Sequence, residues 1–439
     1  MARSGLVGVA LDASQEEVGK MTVNKKILAS QLAGERIGDG LVILPGQGNS
    51  LAAESDAGIV LLDAGTARHF PRMIATLRAA TDQPLHAIVY SHGHMGYNAG
   101  IPLWDDHNAG RGEPPARRIA HRNLLARYER YRETLELQAR FAYMQFPSSG
   151  PLREKVELLP LYDPGEVFDE RMVVVEGRRR IEVLWAPSEV DDALVMWLPD
   201  DGLLCAGPVV TGHGIPNIGT PLRTQRFTRR WAETLERLAA LGAERLLTEF
   251  AGVIEGAKEV DTVLRTTSDA LRWLRSEVVR RLNKGFDEAE ILADMSYPDD
   301  MFGLAWMRPG YGAAEYIVRD LYREETGWWD RNPTTLHPGR PTEVAEAIAG
   351  AITDPAAVIA RAEQLAGDGQ VQLALHVIDL VALGDGQRPE VAEARRLKAD
   401  LCRRRAAEVE PYVSKALYET SARILEQGQL SWSSIPYDA

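Results

Sequence analysis

Over 439 residues, 63 acidic against 50 basic side chains leave a formal net charge of −13. That balance excludes a nucleic-acid or anionic-membrane binder, which needs clustered positive charge, and 45% hydrophobic with 26% charged residues excludes a disordered chain. With only Cys205 and Cys402, there is no disulfide framework or multi-cysteine metal site, so any transition metal falls to histidine and carboxylate.

The N-terminal run Met1–Ala10 is mildly apolar and meets Asp12, Glu16 and Glu17 at once, too weak a pattern for a secretory signal. No stretch approaches about 18 consecutive apolar residues, so a soluble cytoplasmic protein is expected. From Leu41 the chain reads as short strands, Leu41–Leu44, Ser50–Ala53 and Gly58–Asp63, parted by Pro45, Gly46, Gly48, Asn49, Ser55 and Asp56. A helix over Ala67–Ala80 and a buried strand over His86–Tyr90 follow. That strand runs into Ser91-His92-Gly93-His94, placing the histidines at a strand's C-terminal end, where α/β proteins put their ligands. A charged helix from His121 to Phe146 and a loop from Pro147 to Gly165 lead to strands Ile181–Trp185, Ala193–Leu198 and Leu203–Ala206. The helix Thr224–Leu241 then precedes a last strand, Arg245–Thr248. After Val260 the pattern is helical throughout: Asp261–Asn283, Phe286–Met295, Ala313–Glu325, and four shorter stretches beyond Pro341. The turn at Ala362–Gly369 reads like one tetratricopeptide-like hairpin within an ordinary helical packing domain.

His92-Gly93-His94 is the sharpest chemical feature. Two histidines at i and i+2, with glycine between, can aim both imidazoles at one metal; two structural histidines are the other reading of the same residues.

The segment Leu44–Gly100, with Leu62-Asp63-Ala64-Gly65 and Ser91-His92-Gly93-His94-Met95-Gly96-Tyr97-Asn98-Ala99-Gly100, resembles the metallo-β-lactamase superfamily. Its alkylsulfatase branch is matched further by Ala120-His121-Arg122-Asn123, by Ala186-Pro187-Ser188-Glu189-Val190-Asp191-Asp192, by Gly327-Trp328-Trp329-Asp330-Arg331-Asn332-Pro333 and by the helical tail. The resemblance implies an α/β fold, an αββα sandwich over residues 1–258, followed by an all-α dimerisation domain over 259–439 and hence a homodimer. It also implies metal ligands. The family motif HxHxDH reads here as His92, His94, Gly96 and Tyr97, Glu189 matches the glutamate ligand, Pro208 stands at the bridging carboxylate, and the late histidine falls near Phe250, with Glu249 the neighbouring candidate. The surviving set is His92, His94 and Glu189. It suits a single divalent metal, zinc ahead of iron(II), with the second metal's ligands lost.

Around that centre, Tyr97 and His213 are expected as acid–base groups, and Asn98, Asn217, Arg223 and Arg226 as substrate contacts. Arg223 resembles the family arginine that grips sulfate, and a guanidinium fork suits an anion. Asp191 and Asp192 are read as orienting the Glu189 loop. The expected function is metal-dependent hydrolysis, or a lyase-type rearrangement, of a small anionic organic substrate, with sulfate-ester hydrolysis in doubt because one metal ion cannot clamp both the attacking and the leaving oxygen. The alternatives are metal-free chemistry by Tyr97 and His213, or a non-catalytic binding protein.

Overall fold

The computed structural model describes residues 30, 32–146, 152–435 and 437. The N-terminal run Met1–Glu17 and residues 147–151 of the predicted loop lie outside the described residues. The strands follow from paired apolar positions. In β2 (Leu41–Pro45), Leu41 and Ile43 face one way and Val42 and Leu44 the other, and both sets are buried. Such a strand reads as an unbroken apolar run because both sheet faces are covered.

Seven strands form the first sheet in chain order: β1 (Glu35–Gly38), β2, β3 (Asn49–Ser55), β4 (Gly58–Leu62), β5 (Leu85–Val89), β6 (Arg117–His121) and β7 (Glu166–Phe168). β1 to β4 are antiparallel neighbours; β4 to β7 pair in parallel. Parallel pairs need crossovers, supplied by helices Phe70–Ala80 and Ile101–Gly110. The second sheet runs β8 (Arg171–Val175), β9 (Ile181–Trp185), β10 (Leu194–Leu198), β11 (Leu203–Gly207), β12 (Arg245–Thr248) and β13 (Val253–Glu255), with only β11 and β12 parallel.

The sheets pack face to face. Ile43, Leu51, Val60 and Val89 of the first meet Val183, Leu194, Met196 and Leu203 of the second in one buried cluster. On the outer face of the first sheet, Met73 and Leu77 of helix Phe70–Ala80 cover Leu44 and Leu61, beside Trp104 and Tyr128. On the outer face of the second, Val195, Leu204 and Leu246 lie under Trp231 and Leu235 of helix Thr228–Ala239. The result is the expected αββα sandwich.

The boundary expected at 258/259 falls at the start of helix Ala257–Leu282. That helix shares the buried cluster of Trp231 and Leu235, as do Ile317 and Leu321 of helix Ala314–Thr326. A separate helical core gathers Ile359, Leu375, Ile378, Leu401 and Leu425. It is built from helices Pro355–Gly367, Val371–Ala382, Pro389–Glu408 and Tyr412–Glu426. Among the described residues, no helix is long and apolar enough to cross a membrane.

Two local expectations are corrected. The stretch His121–Phe146 is not one helix: His121 ends β6, and helices Asn123–Glu133 and Leu135–Gln145 meet at Thr134, whose hydroxyl donates to the Arg130 carbonyl at 2.7 Å. The predicted loop 147–165 contains the helix Glu154–Glu157. β6 and β7 escape sequence inspection because their polar residues are satisfied across the sheet, Arg117 pairing with Glu166 at 2.7 Å. A charged strand of this kind carries no hydrophobic alternation to detect.

Candidate metal centre and its cavity

The centre is assembled at the end of β5. Asp63, just past β4, adopts a left-handed backbone (φ 59°), and its carboxylate accepts from the Ser91 amide at 2.8 Å and from the Asn98 side chain at 3.0 Å. The turn after Ser91 is pinned a second time, by Asp192, whose Oδ2 accepts from the Gly93 amide at 2.6 Å. Only glycine fits between the histidines: a Cβ at position 93 would lie 2.8 Å from both Asp192 Oδ2 and Arg127 Cδ. Asp192 is wholly buried and also takes the Arg127 guanidinium, which reaches Asp191 at 2.8 Å as well. The expected orienting role of these aspartates therefore falls mainly on the His-Gly-His turn.

With the turn so held, His92 Nε2 and His94 Nδ1 lie 2.9 Å apart, and His94 Nδ1 is 3.8 Å from Glu189 Oε2. One donor atom from each residue falls within 4.8 Å of the others, a spread that one cation can bridge. The other nitrogen of His92 meets the Ser91 hydroxyl at 2.9 Å. This outer partner fixes the ring as metal-bound imidazoles generally require. Burial, with Arg127 and Arg226 nearby, pushes both imidazoles well below the usual histidine range, leaving them neutral, the form that ligates. The donor set therefore fits a single divalent cation.

Glu189 is held on its other side. Its Oε1 accepts from Arg226 at 3.0 Å and from the Asn217 amide at 3.3 Å, and Arg226 also donates to the Asn217 carbonyl. Arg226 and Asn217, expected to touch substrate, thus each place one side-chain nitrogen, Nη1 and Nδ2, on the carboxylate, and both line the cavity.

Tyr97 lies under His92, ring centroids 4.2 Å apart, and its hydroxyl donates to Glu249 Oε1. Burial, reinforced by the Glu189 charge, pushes the Glu249 carboxyl well above the usual range, and burial next to Glu249 does the same to the Tyr97 phenol. Glu249 Oε2 is a buried oxygen without a hydrogen-bond partner. Burial thus favours the protonated, uncharged form of both groups.

Two expected site residues stand elsewhere. Asn98 is buried with both ends of its amide committed, accepting from the Ala64 amide at 2.9 Å and donating to Asp63, so it supports the fold of the turn and does not line the cavity. His213 stacks on Phe250 (centroids 5.1 Å apart, planes 5° off parallel), and Phe250, not His213, lines the cavity. An acid–base role for His213 has no geometric basis in this placement.

The cavity measures about 550 Å³, within the range that holds a small organic ligand. Its lining includes Tyr131, Phe141, Phe146, Phe250, Tyr311 and Tyr412. Five arginines (68, 127, 130, 223 and 226) face two glutamates, Glu189 and Glu249. A protein of charge −13 thus surrounds this cavity with positive charge. Arg223 donates to the Gln145 side chain and to the Tyr311 hydroxyl at 3.3 Å. Tyr412, from the helical core, reaches the Gln145 carbonyl at 3.0 Å, so the two halves of the chain close the cavity together.

Sequence inspection missed Arg127, Arg130, Tyr131, Phe141 and Phe146. For Arg127, Arg130 and Tyr131 the signal was legible, since their three-to-four-residue spacing marks one face of helix Asn123–Glu133, whereas Phe141 and Phe146 belong to the next helix and its end and carried no such spacing. Tyr311 and Tyr412 carried no signal, since only folding brings them to one ring stack, 6.2 Å apart.

One pH-dependent property follows from Asp63. Burial raises its carboxyl from 3.8 to about 6 in the folded chain. Between those values the folded state holds a proton that the unfolded state has lost, so stability is highest below the window and declines as pH rises through it. In urea denaturation at stepped pH, Asp63→Asn should flatten that decline; an unchanged slope would assign it to other groups.

A metallo-beta-lactamase superfamily model matches residues 43–249, and an alkyl sulfatase dimerisation model matches residues 287–428. A linear primary-alkylsulfatase of Pseudomonas sp. is 26% identical over 311 residues, 67% of this chain and 59% of the relative. An (R)-specific secondary-alkylsulfatase of Pseudomonas sp. is 24% identical over 416 residues, covering 88% of this chain and 61% of that protein. The chain thus spans about six-tenths of the length of these curated relatives. Among solved structures, the stereoselective inverting sec-alkylsulfatase Pisa1 from Pseudomonas sp. superposes with a TM-score of 0.77 at 20% identity, over 90% of this chain and 66% of that one. A double mutant of the same enzyme gives 0.78 at 21%, over 92% and 67%. At such identity the likeness concerns the fold.

Proposed function

We propose, from the matches of residues 43–249 to the metallo-beta-lactamase superfamily and of residues 287–428 to the alkyl sulfatase dimerisation family, that the chain hydrolyses small organic esters with an anionic head and an apolar body, sulfate monoesters first among them. The doubt that sequence alone raised over sulfatase chemistry is reduced by its alkylsulfatase relatives. The observation that carries the reading is a single cavity lined by His94, Glu189, Arg223 and aromatic rings, with the buried His92 within bridging distance of His94 and Glu189. Guanidinium recognises the anionic head and the rings take the apolar body.

In this reading His92, His94 and Glu189 hold one divalent ion, with zinc the first choice for a two-histidine, one-carboxylate set. Bound there, the ion supplies Lewis acidity toward the ester and toward water. The remaining steps belong to the chain. Arg223 fixes the head, the aromatic rings orient the body and exclude water, and Arg226 and Asn217 keep Glu189 aimed. Glu249, whose carboxyl burial drives toward the protonated form and whose Oε2 is unpartnered, is the group able to protonate the departing alcohol oxygen. Hydrolysis then cleaves one ester bond, adds the elements of water and yields an alcohol and inorganic sulfate.

The test measures sulfate release from octyl sulfate and 4-nitrophenyl sulfate by zinc-loaded protein. Octyl sulfate should be turned over, and Arg223→Gln should raise KM about tenfold or more, as removal of a charged hydrogen-bond donor does. Turnover of uncharged esters alone would overturn the anion assignment, and binding without turnover would favour a carrier role. A homodimer through the helical half belongs to the same reading, supported by the match to the dimerisation family and by exposed Leu373 and Leu380. Light scattering at micromolar concentration checks it.

A further inference from the structure

Behind Glu189 lies a second cavity, of about 330 Å³, which the hydrolytic reading does not use. The Glu189–Arg226 pair, Arg127 and Arg130 line both spaces, so the pair forms part of the wall between them. The second space is polar and carries more arginine than carboxylate. Arg127 is offset by Asp191 and Asp192, and Arg226 by Glu189. Arg130 and Arg230 remain. Among the described residues neither makes an ion pair; each guanidinium lies over a ring instead, Arg130 5.7 Å from Tyr131 and Arg230 5.3 Å from Trp185.

Ser188 also lines this second space and not the first. It is 8% exposed, and its hydroxyl is a buried oxygen without a hydrogen-bond partner. A buried hydroxyl left unpaired is destabilising, and a ligand that accepts its hydrogen bond removes that cost. Asn123 and Gln225 add amide groups at the same cavity.

We propose that this cavity is an anion site, in which Arg130, Arg230 and Ser188 receive a tetrahedral oxyanion with part of its water. Two guanidiniums without counter-charge and an unsatisfied hydroxyl are complementary to sulfate or phosphate. Arg130, facing both cavities, lies where an oxyanion would pass from one to the other. The inference does not rest on the ester-hydrolysis reading, because binding of the inorganic ion is measured without turnover.

Isothermal titration of the full chain with inorganic sulfate, and separately with phosphate, tests it. Saturable binding that persists in Arg223→Gln, a variant that touches only the first cavity, is expected; in that background it is weakened about tenfold or more by Arg230→Gln and about two- to tenfold by Ser188→Ala. A tighter fit for sulfate points to the ester's own product as the ligand, a tighter fit for phosphate to the free ion; either order supports the site. Selenate in a crystal should give an anomalous peak in the second cavity. Sulfate binding lost only in Arg223→Gln, or unaffected by both Arg230→Gln and Ser188→Ala, would overturn the proposal. Since Ser188→Ala removes a single buried oxygen, it keeps the test valid if Arg230→Gln disturbs the Trp185 stack.

Discussion

Glu189→Ala should reduce metal content after zinc loading to background and destabilise the chain at the same time. Two effects coincide because the carboxylate has two duties: Oε2 faces the histidines while Oε1 neutralises Arg226. The partners are buried, at 7% and 5% side-chain exposure, so removing one strands a charge, a change that costs about 3–5 kcal/mol. Urea denaturation of metal-free protein measures this second effect separately from metal loss. The double variant Glu189→Gln/Arg226→Gln should recover much of that stability without recovering metal, since neither charge remains to be stranded. Full metal content in Glu189→Ala would exclude the glutamate as a ligand, and unchanged stability would show that water reaches Arg226.

Asp192→Asn should weaken zinc binding about 10- to 100-fold, the usual cost of losing an outer partner that orients a ligand. The substitution is nearly isosteric, so the effect is chemical. Both carboxylate oxygens accept, one from the Gly93 amide and one from Arg127. An asparagine must turn an NH₂ toward one of those donors, and the turn between the histidines shifts or Arg127 is released. Gly93→Ala strikes the same contact from the other side, its new Cβ being 2.8 Å from Asp192 Oδ2. Asp191→Asn is the control: its side chain is 50% exposed and reaches only Arg127, so zinc affinity should stay within about threefold, as expected when an exposed pair is lost. Competition with a chromogenic chelator gives all three affinities, and equal losses in Asp191→Asn and Asp192→Asn would refute the assignment of the turn to Asp192.

The two variants show why the sequence displayed one part of this centre better than another. His92, Gly93 and His94 are adjacent in the chain, so their joint aim follows from local backbone geometry at a strand end. Glu189 was found through its surrounding motif. The partners of these ligands are distant: Asp192 lies 99 residues from Gly93, and Glu249 lies 152 from Tyr97. No periodicity or spacing records such a pairing, because it is made when the two sheets stack and bring the loops after β5, β9 and β12 together. Arg226 and Asn217 were expected to touch substrate, but in the structure Arg226 Nη1 and Asn217 Nδ2 bond Glu189. A side chain's partner depends on which buried charge lies nearest, and that is a property of packing.

What the sequence by itself determined is the layered α/β half, the helical half, and the histidine pair with its carboxylate. The two halves and the histidine pair rest on short-range regularity, that is, alternating apolar residues, helical periodicity or a contiguous turn, while the carboxylate rests on the resemblance of its segment to a known family. What only the tertiary structure decided is the environment that gives those residues their chemistry: the neutral imidazoles, the upward shift of the Glu249 carboxyl, the arginine-rich aromatic cavity, and the second arginine-lined space behind Glu189. Those properties come from desolvation and from charges separated by many residues in the chain, and both exist only once the layers have closed.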